Sequence, residues 1–488
     1  MTTRSGCGYV VLAVAAALST LVIPGEPVWA LGRQVPDGNP QSPSADESSS
    51  TGLSSRISAQ SSAQTSAPLP STGQAQNPAT TTTNQQKLKC SNPANPNIRR
   101  FGCKDEEHNW DETLTKGWDG VRDKIRDLGI TPSGSYYSAL QTNVTGGPHQ
   151  IWGYVGLLTT ALDVDFEKLL KIPGMSLYFS DLWGTGSNLT ANLGSVFPLN
   201  PNYAVGVHLG EIYLQEKFLH RNLTIAAGRL GASYTFASLP VFNNYVSGAV
   251  DSTPESLVAN DLSFVGPPPG LEWGAQAIYN VTPAVQVAAG VFNTNANSAN
   301  NGNVFVLQQG NKGALVTAQV SYLFNQSAND KGMPGQYTAG FFEDNNAFAT
   351  LPLRNLTSTG NSGVFILGQQ MVYRPEGADT TEGLTVWAAG TYSAKQLVSS
   401  MPLFGGAGFS YQGLIKQRKS DISSVAWIYG KTSNFIPAAT AAKMLEANYQ
   451  WQPARYITVI PDFQYIWRPT GTSGPGSAVF GVQVNLTF

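Results

Sequence analysis

The sequence predicts an all-β fold: a transmembrane antiparallel β-barrel of about sixteen strands, a count that periodicity alone does not fix, with a short N-terminal helix. Three observations lead there. The 488 residues are 12% charged and 41% hydrophobic, with a formal net charge of -2, and that charge content is about half the usual share of a soluble globular chain. After the amino terminus, no stretch approaches the roughly 18 consecutive apolar residues of a membrane helix. Beyond Ser133 the chain alternates apolar with polar residues at period two, the spacing of strands with two unlike faces. A sheet that spans lipid must close on itself, because the bilayer core offers no partner to an open edge. Near-neutrality also excludes nucleic acid as a partner, since that would need a basic face.

At the amino terminus, Arg4 precedes an apolar, alanine-rich run from Tyr9 to Ile23, and Val28-Trp29-Ala30 suits a signal peptidase. Residues 1–30 are therefore expected to be a signal peptide, cleaved after Ala30. Cys7 leaves with it, so Cys90 and Cys103 remain. Their spacing permits a small disulfide-closed loop without requiring one. A tight Cys-x-x-Cys is absent, and the four histidines, at 108, 149, 208 and 220, lack metal-ligand spacing, so neither a metal nor a cofactor is expected. Residues 31 to about 89 are dominated by Ser, Thr, Gln, Ala, Asn and Pro and cannot bury enough apolar surface to offset chain ordering. The stretch 31–109 reads as a disordered periplasmic leader.

From Trp110 the composition changes. Leu114, Trp118, Val121, Ile125 and Leu128 recur at steps of four and three, the stripe of an amphipathic helix that ends near Gly129 within a lead-in over 110–132. Such a helix packs against a barrel, plugs its periplasmic mouth, or caps a hydrophobic rim.

The barrel is expected over 133–488. Between Leu157 and Glu167 one face carries Leu158, Thr160, Leu162, Val164 and Phe166, and the other Thr159, Ala161, Asp163, Asp165 and Glu167. The alternation recurs in 203–214, 223–233, 272–279, 284–292, 314–324, 383–392, 423–429, 444–451 and 455–468, separated by turns rich in Asn, Gly, Ser and Pro. At the end of the chain, Phe480, Val482, Val484, Leu486 and Phe488 oppose Val479, Gly481, Gln483, Asn485 and Thr487. Tyr449, Trp451, Tyr456 and Trp467 suit interfacial girdles.

Four stretches resemble the carbohydrate-selective porins of Gram-negative bacteria, the OprB-type family. They are GEIYLQEKF at 210–218 with TIAAGRL at 224–230, GQQMVYRPEG at 368–377, GGAGFSYQGLIKQRKSDISSVAW at 405–427, and LEANYQWQPARYITVIPDFQYIWRP at 445–469. Segments 120–137 and 162–186 are similar to its amino-terminal pattern. The resemblance implies a 16-stranded outer-membrane barrel that admits monosaccharides and polyols by passive diffusion, with arginines, carboxylates and aromatic surfaces at a narrow eyelet. The long Ser/Thr/Gln-rich leader and the Asn-rich segment around 293–303 depart from the pattern.

Charge on a barrel strand belongs in the lumen or near an interface, because at the outward midplane it costs several kcal/mol. By that rule Glu446, opposite Leu445, Ala447 and Tyr449, and Asp462 with Gln464, opposite Pro461, Phe463 and Tyr465, face inward. Arg229 alternates with Gly228 and Leu230; Glu211 shares its parity with Leu209 and Tyr213, which leaves its side open. Guanidinium forks donate and carboxylates accept hydrogen bonds, which suits sugar hydroxyls. The candidate constriction ligands are Glu211, Arg229, Arg374, Arg418, Asp421, Glu446, Asp462 and Gln464; the alternative for each is a structural bridge or rim contact.

Rival functions are a general or anion-selective diffusion porin and a structural barrel tethered to the cell wall. An enzyme would need a carboxylate pair such as Asp163 with Asp165, or Glu106 with Glu107, at a defined gap that nothing in the sequence sets. Partners implied by the whole reading are neutral sugars or polyols, outer-membrane lipid and lipopolysaccharide, and the barrel-assembly machinery. The barrel is expected as a monomer or homotrimer in the bacterial outer membrane.

Overall fold

The computed structural model describes residues 110–488, apart from 111–112, 188, 202–204, 251, 265–270, 295–312, 327–329, 331, 352–354 and 378–380. It also describes the backbone of a short antiparallel pair, Ser91–Asn92 with Asn95–Arg99. The expected signal peptide and both cysteines of the proposed disulfide lie outside the described residues.

The period-two pattern folds as sixteen strands. They are β1 (Ile130–Asn143), β2 (Trp152–Asp165), β3 (Met175–Ser187), β4 (Gly206–Phe218), β5 (Leu223–Leu230), β6 (Glu272–Thr282), β7 (Val285–Thr294) and β8 (Gly313–Phe324), followed by β9 (Gly335–Ala349), β10 (Thr357–Tyr373), β11 (Gly383–Ser393), β12 (Leu403–Gln412), β13 (Ile422–Lys431), β14 (Ala441–Ala454), β15 (Ile457–Trp467) and β16 (Ser477–Thr487). Each pairs antiparallel with its sequence neighbours, and β16 closes the barrel on β1 in a register that runs from Val479↔Asn143 to Thr487↔Ser135. Closure leaves no edge, which is what lets apolar side chains face lipid. The terminal strand shows the two faces: Phe480 and Val482 are 50% and 44% exposed, while Val479 and Gln483 are 0% and 6%. No helix among the described residues is long and apolar enough to cross a membrane; the strands do the crossing.

Strand ends are set by local chemistry. β2 stops at Asp165, two residues short of the expected Glu167, because the Asp165 carboxylate accepts from the amides of Glu167 (2.9 Å) and Lys168 (3.3 Å). That cap starts the short helix Phe166–Leu169, so Phe166 prolongs the apolar parity in sequence only. β5 ends at Leu230 instead of running to Ser233, and a 3-10 turn follows at Ala232–Tyr234.

The N-terminal helix is present and shorter than its stripe. α1 spans Val121–Asp127, preceded by a 3-10 turn at Trp118–Gly120. Lys116, Trp118 and Asp119 have positive φ, so helical geometry does not reach back to Leu114. The stripe itself is largely outward, with Leu114, Trp118, Val121 and Leu128 all exposed. The buried residue is a cation instead: Arg122 is 1% exposed. Gly129 ends the lead-in at φ +97, where a Cβ would come within 2.6 Å of the Asp165 carbonyl oxygen; only glycine fits.

The lead-in and Phe488 share one end of the barrel with the connections 166–174, 219–222, 283–284, 325–334, 374–382, 413–421 and 455–456. This is called the near end below. The far end carries the other loops, of which 188–205 and 231–271 matter most.

Candidate lumen constriction

The 231–271 connection should bulge into solvent if it were an ordinary loop. Its sequence forbids that, because Phe236, Leu239, Val241, Phe242, Tyr245, Val246, Leu257 and Phe264 need burial, and each is at most 4% exposed. The described residues of the segment fold inside the barrel and form a hydrophobic cluster with the inner wall, including Phe292, Leu315, Phe342, Trp387 and Met444. Edge-to-face ring contacts set its position: Phe236 on Phe292 (6.1 Å), Phe242 on Trp387 (5.2 Å) and Phe264 on Phe342 (5.6 Å).

A non-strand segment buried in a barrel brings backbone polar groups that must find partners. The wall supplies them with uncharged amides on three consecutive strands. Gln319 Oε1 accepts from Ala237 N (2.9 Å) and its Nε2 donates to Thr235 O (3.1 Å); Gln336 donates to Ser238 O (3.2 Å); Gln369 accepts from Val241 N (2.9 Å). Farther round, Trp387 Nε1 donates to the Tyr245 hydroxyl (2.7 Å), which reaches the carbonyls of Phe409 (3.0 Å) and Val425 (3.1 Å). Asn260 donates to Met401 O (2.8 Å) and accepts from Met401 N (2.8 Å). The 188–205 loop enters beside it: Leu199 O accepts from Gln141 (2.9 Å) and Gln464 (2.7 Å), and Gly248 N donates to Pro198 O (2.9 Å). The lumen is thus narrowed by two adjoining loops, the longer fixed to β8 through β12 and to β14, the shorter to β15 and β1.

Three of the sequence candidates lie together under these loops. Glu446 pairs in register with Gln464, and Asn448 with Asp462. Glu446 is 0% exposed and accepts from Val246 N (2.6 Å), Ser247 N (3.3 Å) and Asn448 Nδ2 (3.1 Å). Gln464 also donates to Asp462 (2.8 Å). All three face inward and hold loop backbone or one another.

Glu211 reaches the lumen by a bulge. Asp181 pairs with Leu209 but Phe179 pairs with Ile212, so one extra residue of β4 is accommodated and both Gly210 and Glu211 turn inward. Ser180 Oγ accepts from Glu211 N (2.9 Å), and a Cβ on Gly210 would lie 2.3 Å from that same oxygen. Glu211 then accepts from Gly231 N (3.0 Å), the first residue of the inserted loop. Arg229, two residues before Gly231, pairs in register with Ile212 and Trp273, the face opposite that of buried Ala226 and Leu230. The register thus gives Arg229 the outward parity at the end of β5, beside the loop root, in place of the lumen side expected from the sequence. Arg374 follows β10 in a near-end connection.

Arg418 and Asp421 lie apart from all of these, in the near-end turn 413–421. Asp421 is held by Arg418 Nε and Nη2, by the Tyr449 hydroxyl and by Gln452 N (3.0 Å). Burial alone raises the Asp421 carboxyl, but these donors together outweigh it, and the group sits below the ordinary aspartate value. Its contribution is therefore complete above the unfolded pKa and lost as pH falls through the lower folded value. Protection of the Gln452 amide, its exchange measured against the intrinsic rate at each pH, is expected to fall on acidification, and Asp421→Asn should remove that pH dependence.

Sequence reasoning missed an aromatic pair on the inner wall. Tyr178 and Tyr213 stack at 5.2 Å with planes 27° apart, next to Glu211 on one strand and opposite Asp163 on the other. The β4 bulge hides Tyr213 from a parity argument anchored on Leu209. The loop-holding glutamines were also missed, although Gln319 and Gln336 stand on the polar parity of their strands; Gln369 shares its face with Phe365, Leu367 and Met371.

Comparison with known proteins decides the family. The profile described as carbohydrate-selective porin, OprB family, matches residues 150–488. The chain belongs to that family. An OprB-family chain with this barrel is an outer-membrane diffusion channel, a porin and not an enzyme. Porin B of Pseudomonas aeruginosa is 22% identical over 420 residues, covering 76% of this chain and 90% of that protein. The high-pH structure of Pseudomonas putida OprB superposes with a TM-score of 0.70 at 19% identity, covering 79% of this chain and all of that one. The low-pH structure of the same protein gives 0.54 at 18% identity, covering 78% and 100%. At such identities the solved structures establish the shared OprB fold. The family match begins after the lead-in, so the Arg122 segment is described from this chain alone.

Proposed function

We propose that this porin selects monosaccharides and related polyols, which cross passively from the far end to the near end, with the near end and leader in the periplasm. The observation that carries the reading is the stacked Tyr178–Tyr213 pair beside Glu211 and Asp163 in a lumen narrowed by two fixed loops. Aromatic faces cover the apolar side of a sugar ring, and carboxylates accept from its hydroxyls. The family description, carbohydrate-selective porin, supports the same reading. In this reading Glu211 is a sugar acceptor at the loop root. Glu446, Asp462 and Gln464 set the width of the passage by holding the loops. Arg374, Arg418 and Asp421 belong to the near-end rim.

The test is single-channel conductance in planar bilayers, titrated with neutral sugars against size-matched solutes. Sugars are expected to reduce the conductance at concentrations where the controls do not. Tyr213→Ala should raise the half-blocking concentration about fivefold to tenfold, the equivalent of roughly 1 to 1.4 kcal/mol. Indifference to sugar identity would make the protein a general diffusion porin, preference for anions an anion-selective one, and folded barrels without channels a structural anchor.

A further inference from the structure

The longer inserted loop buries acids without a cation of its own. Residues 231–271 contain Asp251, Glu255 and Asp261 and no lysine, arginine or histidine. Asp261, 2% exposed, follows the short helix Glu255–Asn260. The wall meets it with another acid: Asp344 of β9 is 1% exposed, and the two carboxyl groups are hydrogen-bonded to each other. Ser263 joins them, its amide donating to Asp261 Oδ1 (3.0 Å) and its hydroxyl to Asp344 Oδ2 (3.4 Å). Glu255 is also buried. Thr294 of β7, beside Asp344, and Asn361 of β10, its register partner, carry no charge. Glu343 is exposed, and Lys395 donates to the Thr359 carbonyl. Lys312 lies outside the described residues.

Two carboxyl groups that share a buried site cannot both ionise cheaply, because each anion lacks water and repels the other. The donors decide which one keeps the proton. Asp344 Oδ1 accepts from Asn346 N (2.7 Å) and Oδ2 from Ser263, whereas no described group donates to Asp261 Oδ2. A proton on Asp261 Oδ2 completes the contact, since a protonated carboxyl is a donor and the Asp344 carboxylate an acceptor. Burial first, and the Asp344 charge second, hold the Asp261 carboxyl well above the ordinary aspartate value. We propose that Asp261 and Asp344 form a proton-operated latch on the constriction: with the proton in place the pair clamps the stretch 255–264 to β9, and loss of that proton to water leaves two adjoining anions that drive the stretch off the wall and widen the passage. A carboxyl raised in the attached state contributes its full attachment below its unattached value and loses it as pH rises through the raised one. The channel is therefore narrow in acid and wider in alkali, for any solute and independently of the sugar selectivity proposed above.

The experiment is swelling of liposomes that carry the full barrel, with a neutral polyol whose passage does not sense lumen charge, at about pH 5 and about pH 9. Wild-type flux is expected to rise at the higher pH. Asp261→Asn puts an amide donor where the proton sits and keeps the acceptor for Ser263 N, so its flux should stay low at both. Asp344→Asn removes the second anion and should also abolish the rise, and retention of the folded band in unheated detergent gels shows that each variant has assembled. Equal wild-type flux at the two pH values overturns the proposal. A rise that persists in the folded Asn variants also overturns it, because the titrating groups would then be other buried acids such as Glu446 and Asp462.

Discussion

Glu446→Ala is expected to open the channel: single-channel conductance rises and solute discrimination falls, while the barrel still assembles and inserts. The carboxylate of Glu446 accepts from two consecutive loop amides, Val246 N and Ser247 N, and from Asn448. Hydrogen bonds to a charged group are worth roughly 1.5–3 kcal/mol each, and the donors left behind belong to the buried residues Val246 and Ser247. The alanine variant therefore loses about 3–5 kcal/mol of loop attachment, as for a buried charged contact broken on one side. That is enough to release the middle of the segment from the wall, though Phe242 and Tyr245 still favour contact with Trp387. The barrel does not depend on it, because the wall is closed by its own interstrand ladder. Glu446→Gln keeps one acceptor oxygen and the shape, so its conductance should lie between the two. Unchanged conductance in the alanine variant would mean that the aromatic contacts alone hold the loop.

Much of this was legible in the sequence wherever one strand obeys one period. The terminal segment ending in Phe488, and the inward placement of Glu446, Asp462 and Gln464, follow from alternation because no bulge intervenes at those residues. Five strands, β1, β3, β9, β10 and β12, did not stand out, and their residues say why. β3 carries Tyr178 inward and Asp181 outward, so it breaks the rule that polar residues face the lumen. β12, with Gly405, Gly406 and Gly408, has too few side chains to alternate. Glu211 was undecided for a local reason, since a one-residue bulge reverses the faces on either side of it. The inserted loop escaped notice because its information is long-range. Nothing near Phe236 or Tyr245 in sequence states that Gln319 or Trp387 will lie against them, and the contacts span tens to hundreds of residues. The helix stripe misled because apolar spacing was read as a buried face, whereas the buried contact is made by a cation in the same turn.

That cation gives the second large effect. Arg122→Ala is expected to detach the lead-in from the barrel and lower the temperature at which the folded barrel unfolds in heated detergent gels. Arg122 Nη1 donates to Thr113 Oγ1 (3.0 Å), Thr115 Oγ1 (3.2 Å) and Lys116 O (2.9 Å), and Nη2 donates to Pro132 O (3.2 Å) and Phe488 O (3.1 Å). The guanidinium also lies 4.0 Å from the Trp110 ring centroid and 4.8 Å from that of Trp118. Pro132 belongs to the first strand and Phe488 follows the last, so a single side chain ties both sides of the seam where the sheet closes. Leu114 N adds a backbone bond to Thr487 O (2.8 Å) on the same side. Charge-assisted hydrogen bonds and a desolvated cation–π contact together put the loss at about 2–4 kcal/mol. Arg122→Lys separates fork from charge: an ammonium keeps the ring contact and cannot span both carbonyls from one planar group, so it should recover less than half of the lost temperature. Conductance should stay at the wild-type value in both variants, because Arg122 contacts neither inserted loop. An unfolding temperature unchanged in Arg122→Ala would show that the seam is held by the β16–β1 ladder alone.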